Sequence, residues 1–420
     1  MRFNLGLGSM AAVSLAWVCL GDEQSAPSLS NLTSALATIP TCALTCLANY
    51  IAKENCTATD PQCICVDKYA AIQNRAKPCI IEACSLPEAL FTKNVTEVAC
   101  NRPVRDKSGR YDAMNLAMGV ITALLVTTRL VYKKFFGYRR ELGPDDWVIL
   151  WTLILGVPCT ILNSVGLIAN GLGRDVWTVT PDELTKFIMF FFVLQIFYLA
   201  LMCLIKLSLS LFYLYIFPGT TVHRLLVATC VFNAVFGVAF VLTGMFSCTP
   251  ISHYWTQYVN PEISGRCINL NLFAWVHAAF NIVTDLWMLA LPLSQIKSLD
   301  LSWKKKFGVI FMFLIGAFVT IVSVLRLESL LVFANSTNPT WENWIVAWWS
   351  TIEVNVGMIC TCLPTVRLIL VRVAPRMFST DMSNGQSYET HGMRDRYVRN
   401  SHVMRRKQID IEHEHEPGRW

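Results

Sequence analysis

Residues 187–216 read FIMFFFVLQIFYLALMCLIKLSLSLFYLYI, and a single charge, Lys206, interrupts the run. A helix needs about 20 mostly apolar residues to cross a bilayer, so this stretch is long enough to cross and to tilt or project beyond it. Six more segments qualify on the same ground: 113–132, 147–168, 225–246, 271–293, 307–331 and 344–369. The breaks between them are marked. Pro144-Asp145-Asp146 precedes the second, Gly171-Leu172-Gly173 follows it, Pro218-Gly219 ends the third and Pro292 lies at the end of the fifth. The expected fold is all-α, a seven-helix transmembrane bundle over 111–370.

Composition agrees with that reading. The 420 residues are 54% hydrophobic and 15% charged, against about 25% charged in soluble domains. That argues against a cytosolic enzyme, a disordered chain and a nucleic-acid binder. The net charge of +6 is a topology signal, because the basic residues sit between apolar runs. With the N-terminus outside, the inner loops hold Lys133, Lys134, Arg139, Arg140, Arg224, Lys297, Lys304, Lys305 and Lys306, followed by Arg367, Arg372 and Arg376. The outer loops hold only Arg174, Lys186 and Arg266, a positive-inside bias. The expected location is the plasma membrane, with the C-terminus cytoplasmic.

Ahead of the bundle, residues 1–21 read as a secretory signal: Arg2, then an apolar run from Leu5 to Leu20, then small residues near Gly21 and Ala26. Residues 22–110 are polar and hold eight cysteines, Cys42, Cys46, Cys56, Cys63, Cys65, Cys79, Cys84 and Cys100. An even count in a short secreted stretch reads as a disulfide framework, although four bridges can connect in 105 ways. Two antiparallel helices would align Cys42 with Cys84 and Cys46 with Cys79. Cys56–Cys63 would close a small loop around Asp60, leaving Cys65 for Cys100. A zinc cluster is the weaker alternative, since the secretory route oxidises thiols and this stretch holds no histidine. N-x-[ST] sequons stand at Asn31, Asn55, Asn94 and Asn335. The first three lie in this stretch, and the last in what the topology makes an outer loop. Cys248 and Cys267 are on the same side and pair across the loop after the fourth helix, which carries Trp255, Tyr258 and Arg266. Cys159, Cys203, Cys230, Cys360 and Cys362 fall inside the spans as apolar packing residues.

The run Pro40-Thr41-Cys42-Ala43-Leu44-Thr45-Cys46, then Cys56, Asp60-Pro61-Gln62-Cys63-Ile64-Cys65, Cys79, Cys84 and Cys100 resembles the CFEM domain, an eight-cysteine module of fungal extracellular membrane proteins. The resemblance covers about residues 30–100. It implies a small helical basket with four disulfides, in the pairing given above. Some CFEM proteins bind haem through the aspartate before the Cys-x-Cys, which here is Asp60. A carboxylate is a hard oxygen ligand suited to ferric iron; Asp before Pro is equally turn chemistry. Leu47, Ile51, Ile64, Tyr69 and Ile80 are the expected apolar platform for a porphyrin.

Charges at membrane depth are costly and face the bundle interior or water. Lys206 and Asp285 both lie toward the inner half of their helices, and Arg326 and Glu353 toward the outer half. The expected pairs are therefore Lys206–Asp285 and Arg326–Glu353, either as a ligand pocket and switch or as packing devices. Snorkelling of Arg326 and Glu328 to the interface is the alternative. Gly143-Pro144-Asp145-Asp146-Trp147, Lys206-Leu207-Ser208-Leu209-Ser210-Leu211-Phe212-Tyr213, Asn281-Ile282-Val283-Thr284-Asp285, Arg326, Glu353 and Pro364 together resemble the fungal rhodopsin-domain membrane proteins, over about residues 115–370. That class implies a G-protein-coupled-receptor-like role with a heterotrimeric G protein as cytoplasmic partner. No retinal is expected, because the seventh segment has no lysine for a Schiff base. The chain also departs from animal receptors in having Tyr213-Leu214-Tyr215-Ile216 where those carry Asp-Arg-Tyr, and in lacking Asn-Pro-x-x-Tyr.

No nucleophile elbow, phosphate loop or His-Glu-x-x-His occurs, so a non-enzyme is expected. The tail, 371–420, is polar, and its Arg394, Arg396, Arg399, Arg405, Arg406 and Lys407 suit an anionic inner leaflet. Three functions stay open: a receptor for an extracellular ligand or surface; a haem or iron acquisition protein using Asp60; and an adhesion or wall-associated protein tethered by the bundle.

Overall fold

The computed structural model describes residues 29–373 apart from 58, 138–140, 217–218, 258–263, 297–302 and 334–337. The expected signal segment, the tail, Tyr258, Lys297 and Asn335 lie outside the described residues. The chain divides into a compact unit through Arg367 and a second from Leu368; the architecture below is that of the first.

Four helices form the N-terminal domain: α1 (Leu29–Thr38), α2 (Thr41–Lys53), α3 (Tyr69–Ala83) and α4 (Leu86–Ala99), with a π-helical turn at Cys63–Asp67. A domain of this size buries too little apolar surface to be stable without cross-links. Four disulfides supply them: Cys42–Cys84, Cys46–Cys79, Cys56–Cys63 and Cys65–Cys100. The first two hold α2 along α3, and the last joins the π turn to the end of α4. Inside lie Ala43, Leu47, Ile51, Ile64, Ile72, Ala76 and Ala99. Ser85 and Glu88 cap α4: the Glu88 carboxylate accepts both the backbone N–H (2.9 Å) and the hydroxyl (2.7 Å) of Ser85. These bonds hold the Glu88 carboxyl below its ordinary pKa.

Among the described residues seven long helices follow: α5 (Ser108–Val131), α6 (Pro144–Leu162), α7 (Pro181–Ile216), α8 (Thr220–Met245), α10 (Leu270–Ile296), α11 (Trp303–Phe333) and α12 (Pro339–Val373), with a short α9 (His253–Thr256) after α8. All seven carry a window long and apolar enough to cross a membrane, and the protein is multi-pass. Exposed Trp147, Trp151, Ile154 and Ile161 on α6 and Val231, Val235, Val238 and Leu242 on α8 form apolar faces suited to lipid rather than water. The helices outrun the hydropathy segments because their ends are polar but capped. Asp106 accepts the Ser108 N–H at 2.7 Å at the start of α5. A reciprocal Thr180–Glu183 box opens α7. Asp145 and Asp146 occupy the first turn of α6, where the helix dipole favours anions.

Helix α7 is the central rod. It packs along both α6 and α8 and carries a buried surface from Leu184 to Phe212. Between α8 and α10, a two-stranded ribbon, β1 (Cys248–Thr249) and β2 (Arg266–Cys267), pairs Cys248 with Cys267, and a disulfide joins the same two residues. The end of the bundle that bears the N-terminal domain is its mouth, and the opposite end its foot.

The α7–α8 crossing depends on a missing side chain. A Cβ at Gly237 would stand 2.1 Å from the Cys203 Sγ. Gly237→Ala is expected to cost about 1–3 kcal/mol by overpacking, seen as a lower thermal midpoint of the full-length protein in detergent. Adding Cys203→Gly should restore most of the loss. An unchanged midpoint in Gly237→Ala would show that the two helices are not in close contact.

Candidate ligand-binding cavity

The mouth is knitted from three segments that are remote in sequence. In the linker before α5, Arg105 is ion-paired with buried Asp175, and Asp106 bridges to Arg174. Asn338, just before α12, donates to Asp175 Oδ1 at 2.7 Å and accepts the Val176 N–H at 2.8 Å. Gly173, at φ +85, donates to the Thr340 carbonyl and accepts from Lys107, both at 3.0 Å. The Trp344 indole donates to the Lys107 carbonyl at 3.1 Å. From the domain, Lys93 reaches over the Trp177 ring, 5.1 Å from its centroid. The same ammonium lies 2.6 Å from Glu97. Burial lowers its pKa, with Glu97 opposing. Burial and the Glu97 bond raise the Tyr69 phenol, which stays protonated and donates to Glu97.

Below this rim is a cavity of about 640 Å³. The domain contributes Leu86 and Leu90 to its lining, so α4 closes part of the mouth. The disulfide-pinned loop contributes Tyr254, Cys267 and Ile268. Tyr254 is held there by Phe192, at 4.7 Å between ring centroids, and donates to Gln195 at 3.1 Å. The walls are chiefly Leu, Phe, Val and Ala from α7, α10 and α12, with Asn115, Asn163, Asn343 and Asn355 among them. The volume suits one small organic molecule.

Tyr198, His277 and Arg326 also line the cavity, and below them a polar chain descends. Arg326 donates from Nε to Ser350 at 3.0 Å and from Nη1 to the Tyr198 phenol at 2.5 Å, and its guanidinium lies 4.0 Å from the Tyr198 ring centroid. Tyr198 donates to Glu353 at 2.8 Å, and Arg326 is 3.6 Å from the same carboxylate. Ser323 donates to the other Glu353 oxygen at 2.6 Å and stands 3.2 Å from Asp285. Asp285 is 3.0 Å from Lys206, which also donates to the Asn281 carbonyl at 2.8 Å and to Thr284 at 2.5 Å. The structure thus brings the four expected intramembrane charges into one network across α7, α10, α11 and α12. Arg326 is 7% exposed and does not snorkel, because Ser350, Tyr198 and Glu353 satisfy it inside the bundle; Glu328 is exposed.

Residues 128–372, more than half of the chain, match the fungal rhodopsin domain model, and residues 35–101 match the CFEM domain model. The chain belongs to the fungal rhodopsin domain family. A SAT4 family membrane protein of Emericella nidulans is 32% identical over 204 residues, 47% of this chain and 50% of that protein. Receptor GIN3 of Arthrobotrys oligospora is 26% identical over 266 residues, 62% of each chain. The polyenoic acids biosynthesis gene cluster protein Ba17b of Metarhizium anisopliae is 24% identical over 267 residues, 60% of this chain and 71% of that one. The chain thus spans between half and two thirds of the first two relatives' lengths. No solved structure matches it.

At the foot of this fungal rhodopsin domain lies a second buried cluster. Arg129, its side chain wholly buried, donates to Asp146 at 3.1 Å, to Asp145 at 2.5 Å and to the Thr361 carbonyl. Lys133 donates to the same two carboxylates at 2.9 and 2.7 Å. The Ser208 hydroxyl donates to the Asp145 carbonyl at 3.1 Å. This clasp ties α5, α6, α7 and α12 together. In the sequence, Asp145 and Asp146 mark the break before the second span and belong to the Gly143–Trp147 motif, with no sign there of their partner Arg129. The available signal was Arg129 and Lys133, four apart on one helix face, directly before a helix that opens with two aspartates.

In the CFEM domain, Asp60 is half-buried at the bridged loop, and its Oδ1 accepts the Cys63 N–H at 3.1 Å, as a turn residue does. The expected porphyrin platform does not fit. Leu47, Ile51 and Ile64 are buried in the domain core, with Tyr69 and Ile80 packed on it, and the cavity beside the first three is only about 30 Å³. A domain this small needs those side chains for its own interior. Of the sequons, Asn55 is exposed at φ +59 and Asn94 is half-buried on α4.

Two outcomes follow. Asp146→Asn should destabilise the protein by about 3–5 kcal/mol, as loss of one partner from a buried ion cluster does. Arg129→Met combined with Asp146→Leu should cost clearly less. Thermal midpoints in detergent compare them, and equal costs would mean the charges are not coupled. Ferric haem titrated into the full-length protein should give no saturable Soret shift that Asp60→Ala abolishes; such a shift would establish Asp60 as an iron ligand.

Proposed function

We propose that this chain is a receptor whose ligand is a small, largely apolar organic molecule, held in the cavity under the CFEM domain. The observation that carries this reading is the cavity itself. The CFEM leucines and the bridged loop close its mouth, and its floor is a buried charge network spanning four helices. A ligand touching Tyr198 or Arg326 changes contacts that continue to Lys206, and α7 carries those contacts on toward the clasp at Ser208. The foot is the surface for a cytoplasmic partner, a heterotrimeric G protein being the candidate. The CFEM domain is placed outside the plasma membrane. The basic residues between spans, the disulfides and the sequons support that placement.

The relatives' names support the same reading. One is called a receptor. Others are named for biosynthesis clusters of organic metabolites: polyenoic acids, wortmanamides and satratoxin. Each of these names refers to a cluster and states no ligand; the cavity's size and apolar walls fit the broader class, small and largely apolar organic molecules.

The test uses the full-length protein in nanodiscs and fractions of an ethyl acetate extract of fungal cultures. At least one fraction should raise the thermal midpoint, since a ligand at about a hundred times its Kd stabilises by about 2.7 kcal/mol. Ala347→Trp, which fills the cavity wall, should abolish the shift. An equal shift in that variant, or none in the wild type, would sink the reading.

A further inference from the structure

The cavity floor constrains the charge of what binds there, and the argument rests on the cavity being the ligand site. Lys206, Asp285, Arg326 and Glu353 are two cations and two carboxylates, already in pairs at 3.0 and 3.6 Å. Arg326 uses Nε on Ser350 and Nη1 on Tyr198 and Glu353. Among the described residues none takes Nη2, and Arg326 lines the cavity. Tyr198 offers no free proton, because it donates to Glu353. His277, on the floor beside them, is engaged with Asn281 at 3.0 Å and enclosed by the Tyr198, Phe236 and Phe240 rings. Among the floor residues Nη2 of Arg326 is therefore the donor group left unfilled.

A carboxylate at that donor would add a third anion to a buried set that is already neutral. It would also compete with Glu353 for the same guanidinium. Uncompensated charge at membrane depth is expensive. A neutral carbonyl oxygen fills the donor without that cost. A second polar point lies nearer the mouth. Asn343 lines the cavity and is 3% exposed, and its Oδ1 has no partner among the described residues. It precedes Ser350 by two turns of α12, so the two share a face about 10 Å apart. An orphaned amide oxygen calls for a donor, a hydroxyl or an N–H. Val346 and Ala347 separate the two points with apolar wall.

We infer that the ligand class is neutral, elongated and mostly apolar, with a carbonyl acceptor at Arg326 and a hydroxyl or N–H donor at Asn343, two helix turns along α12 from the Ser350 that holds Arg326. Hydroxylated esters, lactones and amides fit this description; free acids do not.

The probes are ω-hydroxydecanoic acid, its methyl ester, its primary amide and methyl decanoate. Each is titrated at neutral pH into full-length protein in nanodiscs, with Ala347→Trp as the control for partition into lipid. The ester and amide should bind at least about tenfold more tightly than the acid. Arg326→Lys keeps a cation beside Glu353 but removes Nη2, and should weaken the ester about tenfold. The charge-balanced pair Arg326→Gln with Glu353→Gln should do the same, which guards against a folding defect in the single variant. Asn343→Leu should erase the preference for the hydroxy ester over methyl decanoate. Acid binding as tight as the ester, and lost in Ala347→Trp, overturns the neutral-ligand inference and leaves the cavity reading standing. Binding that Ala347→Trp does not reduce, or no binding by any probe, overturns the cavity reading itself.

Discussion

Polar groups inside a bilayer must find partners within the protein, and in this molecule six side chains meet that demand together. Arg326, Tyr198, Glu353, Ser323, Asp285 and Lys206 form one chain of contacts through four helices. The rotation of each helix follows from it. If α7 turned so that Tyr198 and Lys206 left the interior, the carboxylates of Glu353 on α12 and Asp285 on α10 would each lose one partner, at a cost of several kcal/mol. The apolar stripes on α6 and α8 can then face lipid, and the wide end of the bundle stays open above the network.

That open end would be a funnel without the segments that cover it. The CFEM domain is held over one side by its linker, the loop after α6 and the start of α12, which hydrogen-bond and ion-pair with one another around Asp175 and Asn338. The loop after α8 covers another side, pinned by Cys248–Cys267 and anchored by Tyr254 on Phe192. Disulfides therefore act at two scales. Four give a small domain its stability, and one keeps a loop from leaving the mouth. The cavity results from packing rigid parts around a neutral charge network.

The clasp at the foot obeys the same rule with different residues. The Arg129 side chain is wholly buried, so its guanidinium needs both aspartates and the Thr361 carbonyl. Ser208 and Lys206 are two residues apart on α7, which places the clasp and the network on one rod. In the CFEM domain the economy is hydrophobic. Leu47, Ile51 and Ile64 could be a ligand platform or a core, and here they pack with Ile39, Ala43, Ile72 and Ala76 as the core.

Much of this was legible in the chain itself. Apolar runs of 20 residues or more, separated by Pro, Gly and basic residues, determine seven spans, because hydropathy is a local property summed over neighbours. Eight cysteines at CFEM spacing determine a cross-linked helical head. Counting residues along each helix placed Lys206 level with Asp285 and Arg326 level with Glu353, because depth in a helix is linear in sequence. Only the tertiary structure decided the rest. That Tyr198 stands between Arg326 and Glu353, that Arg129 reaches Thr361, and that Leu86 and Leu90 border a transmembrane cavity depend on how helices rotate and cross. Those contacts join residues tens to hundreds of positions apart, and no spacing rule along one helix carries them.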